Sequence, residues 1–159
     1  MATATKTIKK TAQPKEAIAL LKADHKAVSA LFEQYQSTRA QSKKKEIVAK
    51  ICKELTVHAQ VEEEIFYPAF KQALNDKTLE PEARVEQATL KDLISQVKDI
   101  EPVGEMFDAK MMVLCEYVKH HVKEEHTEMF PKAKASSKLD LLALGAQMAA
   151  RKVELMAAL

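Results

Sequence analysis

Two stretches of this chain, 63 positions apart, carry the same order of residues. Ile51 matches Leu114, Cys52 matches Cys115, Leu55 matches Val118, His58 matches His121, Glu62 matches Glu125 and Pro68 matches Pro131. A second pair of stretches is offset by 62: Asp24–His25 overlay Glu86–Gln87, Val28 overlays Leu90, and Leu31–Phe32 overlay Leu93–Ile94. In each, apolar residues return at intervals of three, four and seven, which is the period of a helix face. The repeat predicts two similar helix pairs facing each other around one centre. It also predicts that the polar groups it carries meet there.

Glycine occurs 2 times and proline 5 times in 159 residues, which argues against a turn-rich β fold and against a glycine-rich phosphate loop. No segment alternates apolar and polar residues as a half-buried strand does. The expected fold is all-α: an up-down-up-down antiparallel four-helix bundle with an additional C-terminal helix. The helices are expected from Pro14 to about Tyr35, from Lys43 to Leu74 with a kink at Pro68, from Pro81 to Ile100, and from Glu105 to Ala133. Ser136 and Ser137 are expected to cap the fifth, whose apolar face carries Leu141, Leu144, Met148 and Leu155. The chain is thereby divided into a basic tail (1–13), the bundle (14–135) and a C-terminal helix packing on it (136–159). That last face also suits a dimer surface, so a monomer and a homodimer both stay open.

Lys and Arg number 25 against 23 Asp and Glu, a net charge of +2, which gives no reason to expect a nucleic-acid or acidic-membrane partner. The uncharged stretch 141–150 is too short to span a bilayer. The polar, basic start lacks the apolar run of a signal peptide, so a cytoplasmic location is expected. The two cysteines match neither a zinc pair nor a CxxC redox motif.

The chemistry lies where polar residues interrupt the apolar stripes. His25 falls between Leu21 and Val28, His58 and Glu62 between Leu55 and Ile65, and Gln87 between Ala83 and Leu90. His121 and Glu125 continue the stripe of Phe107, Met111, Leu114 and Val118. Spacing of four places each HisXxxXxxXxxGlu pair on one helix face. Buried carboxylates are costly unless paired or coordinated. No lysine or arginine on these stripes offers to neutralise Glu62 and Glu125. A bound cation does, and imidazole with carboxylate suits iron, manganese or zinc. The candidate ligands are His25, His58, Glu62, His121 and Glu125. Gln87 is a weaker amide donor, Glu86 stands beside it, and Asp24 is placed to steady a ligand. His120 and His126 fall off the inward face and are expected to miss the centre.

The stretches 24–32, 58–68 and 120–131 resemble the bacterial hemerythrin-like family with HHE cation-binding domains, and the resemblance runs over roughly 14–158. It implies a four-helix bundle holding a non-heme diiron centre, with Glu62 and Glu125 as bridging carboxylates. Two positions depart from the family pattern: Gln87 stands where relatives carry histidine, and His126 where they carry glutamate. The expected cofactor is therefore iron, with two ions implied by the family and one ion, or two held unequally, by Gln87. The resemblance implies that the centre binds or reacts with dioxygen, peroxide or nitric oxide. The alternative is a non-catalytic module that holds or senses iron. An organic-substrate oxygenase ranks below both, because no stretch resembles a dedicated substrate motif.

Overall fold

The computed structural model describes residues 15–159, so the basic tail 1–13 and Pro14 lie outside the described residues. Among the described residues all regular structure is helical. Helix α1 (Ala17–Ser37) starts three residues later than Pro14, where the Glu16 carboxylate accepts a hydrogen bond from the Ala19 backbone N–H. It buries Ile18, Leu21, Val28, Phe32 and Tyr35, the apolar stripe of its sequence.

Helix α2 (Gln41–Val61) runs without a break into a π-helical segment (Glu62–Phe66) and then α3 (Tyr67–Leu74). The kink expected at Pro68 is this widened turn. A proline ring clashes with the carbonyl four residues back and donates no hydrogen bond to it. For Pro68 that carbonyl belongs to Glu64, inside the π segment, and the Tyr67 N–H bonds instead to the Glu62 carbonyl, five residues back. The other half does the same. Helix α5 (Glu105–Glu124) passes through a π segment (Glu125–Met129) into α6 (Phe130–Ala135), with the Phe130 N–H bonded to the Glu125 carbonyl ahead of Pro131.

Between these rods lies α4 (Leu79–Ser95), shorter than the predicted 81–100. After Ser95 the chain tightens into turns, and Asp99 takes a left-handed φ of 58°. Asp76 starts α4 by accepting from the Thr78 and Glu80 backbone N–H groups. Gly104, at φ 89°, turns the chain into α5 with a conformation that side chains disfavour.

Helix α7 (Leu141–Ala158) is capped by Asp140, which accepts from Ala143 N, rather than by the serines. It packs on α1 and α2. Two apolar clusters result. One gathers Ile18, Leu21, Phe66, Phe70, Phe130 and Met148. The other gathers Val28, Phe32, Ile51, Leu55, Met111 and Leu114. Cys52 and Cys115 are buried and unlinked. No described helix is long and apolar enough to cross a membrane.

Candidate metal centre

Between the two clusters lies a buried polar layer. Every rod contributes to it: Asp24 and His25 from α1, His58 and Glu62 from α2 and its π segment, Gln87 from α4, His121 and Glu125 from α5 and its π segment. Both glutamates are the first residue of a π segment, and Glu62 is fully buried.

Three imidazoles turn Nε2 inward. The Nε2 atoms of His25 and His58 are 3.2 Å apart. That of His58 lies 2.8 Å from Glu62 Oε1. That of His25 lies 3.5 Å from Glu125 Oε1, and that of His121 lies 3.1 Å from the same oxygen. Donor atoms of His25, His58 and Glu125 fall within 4.8 Å of one another, as do those of Glu62, His121 and Glu125. Glu125 belongs to both groups.

The outward nitrogen of each ring is held. Asp24 takes His58 Nδ1 at 3.0 Å, Glu86 takes His121 Nδ1 at 2.9 Å, and His126 Nε2 meets His25 Nδ1 at 2.9 Å. Asp24 and Glu86 are repeat partners, so the symmetry extends from the inward groups to the carboxylates that orient them. Such partners fix the tautomer and the angle of a metal-binding imidazole. His126 is outside both donor groups but does not miss the centre, because it braces His25. His120 lies outside the layer with its side chain 61% exposed, paired to Glu124. Near it, Glu86, His120 and Glu124 form a third, open group of donors.

Gln87 is in the layer, 1% exposed. Its amide nitrogen donates to Glu62 Oε1 at 3.2 Å and to the Tyr67 hydroxyl at 3.1 Å. That hydroxyl also lies 3.1 Å from His121 Nε2. Tyr67 breaks no apolar stripe and so gives little local signal in the sequence. The available signal is the repeat, where Tyr67 overlays Phe130 and is the one of the two with a polar end.

The electrostatics are those of a crowded acidic layer. Burial, and then the Glu125 charge, raise the Glu62 carboxyl above its ordinary range. Burial would also raise Glu125, but Glu62, His121 and His58 outweigh it and hold it low. Burial would depress His58, yet Glu62 and Asp24 push it up to about 10. Burial acts likewise on His121, and Glu125 with Glu86 raises it to about 11. His25, desolvated and beside His58, drops to about 3 and stays neutral.

Glu62 Oε2, Gln87 Oε1 and both Glu125 oxygens are buried without a hydrogen-bond partner. Unpartnered buried oxygens are costly, and here four of them face one layer. A cation beside Glu62 and Glu125 would take up carboxylate oxygens that no other group does, so the residues fit one. The donor set of three imidazole nitrogens and two carboxylates is that of a transition-metal site.

The family model for the hemerythrin HHE cation binding domain matches residues 16–133. A curated protein of Nostoc sp. described as a DNA nickase is 32% identical over 111 residues, covering 70% of this chain. The match spans 31% of that protein's length. A crystal structure of a hemerythrin HHE cation-binding domain-containing protein from Mycobacterium kansasii superposes with a TM-score of 0.78. It covers 91% of this chain and 89% of its own at 21% identity, a likeness of fold.

Proposed function

The chain belongs to the hemerythrin HHE cation-binding family, and from that premise we propose that its buried layer holds non-heme iron and binds or reacts with dioxygen, peroxide or nitric oxide. We read the four rods as the up-down-up-down bundle of such proteins, with α7 laid against it. One observation carries the proposal: three Nε2 atoms and two carboxylates converge while each ring's outer nitrogen is held by its own partner.

In this reading the layer holds two ions. His25, His58 and Glu125 serve one position. Glu62, His121 and Glu125 serve the other, with Glu125 common to both. The second position is the weaker, because Gln87 brings an amide where the repeat places an imidazole. The Tyr67 hydroxyl supplies an oxygen on that side. Ferrous iron, when bound, supplies the electrons for reaction with a small oxidant.

The chain's own residues do the rest. Asp24, Glu86 and His126 aim the rings. Phe66, Phe70 and Phe130 keep water from one side. A cavity of about 310 Å³, walled by Phe32, Val118 and Val122, reaches His25 and His126 from the surface. It gives a small apolar molecule a route inward.

The second reading is a module that holds or senses iron without turnover, and the uneven donor set at Gln87 favours it. The Nostoc protein's described action on DNA belongs to a chain of which the match spans 31%, and it is not carried over here. Metal analysis of protein purified without added metal, with anaerobic spectra before and after each small molecule, tests both readings. Iron that reacts and turns over peroxide or dioxygen supports the first. Iron that exchanges readily without turnover supports the second. Protein that takes up no iron overturns both.

A further inference from the structure

We propose that Lys152, on the C-terminal helix, is a positioning residue for the metal centre, acting through Asp24 on His58. The inference rests on the metal reading above. Asp24 divides its two oxygens: Oδ2 takes His58 Nδ1 at 3.0 Å, and Oδ1 takes the Lys152 ammonium. Its side chain is 7% exposed, so few waters reach it. A buried carboxylate with one fixed oxygen can still swing about its terminal torsion. A carboxylate fixed at both oxygens cannot, and the ring it holds keeps Nε2 turned inward.

The reach of Lys152 is set by how closely α7 lies on α1. A Cβ added at Gly145 stands 2.3 Å from the Lys15 carbonyl oxygen and 2.7 Å from Ala17 N. Only glycine allows that backbone contact, and Lys152 follows two helical turns later on the same helix. The neighbouring Arg151 grips Glu64, in the π segment that begins with Glu62, through Nε at 2.7 Å and a second nitrogen at 3.1 Å. Helix α7 thus touches both elements that build the His58 side.

Among the described residues, the other half of the repeat has no such brace. Glu86 holds His121 as Asp24 holds His58, but its ionic neighbours are His121 itself and the open group with His120 and Glu124. Lys152 therefore breaks the symmetry in favour of the position served by His25 and His58. That is the same direction as the substitution at Gln87.

The test loads natural protein, Lys152→Met, Lys152→Arg, Asp24→Asn and the double variant Asp24→Asn/Lys152→Met with ferrous iron and follows release to a chelator. Loss of an outer partner of a metal ligand weakens binding by about 10-fold or more. Lys152→Met is expected to release iron about tenfold faster, and Lys152→Arg to retain it. In the Asp24→Asn background, Lys152→Met should add nothing, as expected of residues acting in series. Arg151→Met removes the grip on Glu64 while the Gly145 contact still seats α7 on α1, so Lys152 keeps its reach and iron should leave at the natural rate. The inference is overturned if Lys152→Met releases iron like natural protein, if its effect multiplies with that of Asp24→Asn, or if Arg151→Met matches it. Natural protein that takes up no iron overturns the metal reading, and this inference with it.

Discussion

The Gln87 amide nitrogen donates to the Tyr67 hydroxyl at 3.1 Å, and this pair occupies the place taken in the other half of the repeat by His25 and Phe130. The His25 and Phe130 rings lie 6.0 Å apart and nearly parallel. One half thus sets an imidazole against an apolar ring, and the other sets an amide against a phenol. The amide oxygen of Gln87 is left without a partner.

Gln87→His restores an imidazole beside Glu62 and Tyr67. Metal content under matched loading should rise toward two ions per chain, and loss to a chelator should slow. Natural protein that already holds two ions firmly, with no change in the variant, would show that the amide is not a gap.

Tyr67→Phe removes the hydroxyl that lies 3.1 Å from His121 Nε2. The weaker ion should go, lowering metal content by about one per chain if the phenol oxygen serves it. Gln87 also loses an acceptor, at about 1 kcal/mol, or roughly 3 °C in melting temperature for a chain of this size. Unchanged metal content with only the melting shift would restrict Tyr67 to a packing role.

Glu125 belongs to both donor groups, whereas His120 belongs to neither buried one. Glu125→Ala should therefore abolish binding of both ions, Glu62→Ala should cost chiefly the ion of the group with His121, and His120→Ala should bind normally. Metal loss in His120→Ala as severe as in His121→Ala would move the centre to the open group with Glu86 and Glu124.

Metal and pH should act on stability in opposite directions. In the metal-free protein the two histidines are raised from 6.5 to about 10 and about 11. A raised histidine contributes stability that is complete below its unfolded value and is lost as pH climbs through its folded value. Metal-free protein should therefore weaken from neutral pH toward about 11. Metal must displace those same protons, so its affinity strengthens over that interval. At a thousandfold excess over Kd it adds about 4 kcal/mol, roughly 10 °C. Denaturation midpoints of the two forms across this range should diverge as pH rises, and parallel curves would contradict the assignment.

The helices and the inward polar residues were legible because period and repeat are local in sequence. His58, Glu62, Gln87, His121 and Glu125 are buried where their stripes put them, and His25 joins them with a side chain 7% exposed. The π turns were not legible: Pro68 and Pro131 signal a disturbance, but a period of 3.6 cannot show that one residue has been added to a turn. That addition bears on His126. A wider turn rotates less per residue, so the side chain after Glu125 stays close enough to brace His25. Lys152 was invisible for another reason: it meets Asp24 across 128 positions, and no periodicity carries such a pairing. The end of α4 and the cap at Asp140 depend on single turns, where several polar residues compete for the same backbone groups.

The polar layer leaves the helices with two separate apolar cores, one shared with α7 and the other formed from the remaining lengths of the rods. The consequence concerns cooperativity. Neither core reaches through the layer to the other, so in the metal-free chain the continuous helices and a set of buried acid–base pairs connect them. A cation held by residues from three of the four rods makes the two cores one unit. Its removal should show first in amide hydrogen exchange, as two blocks of protection that no longer open together.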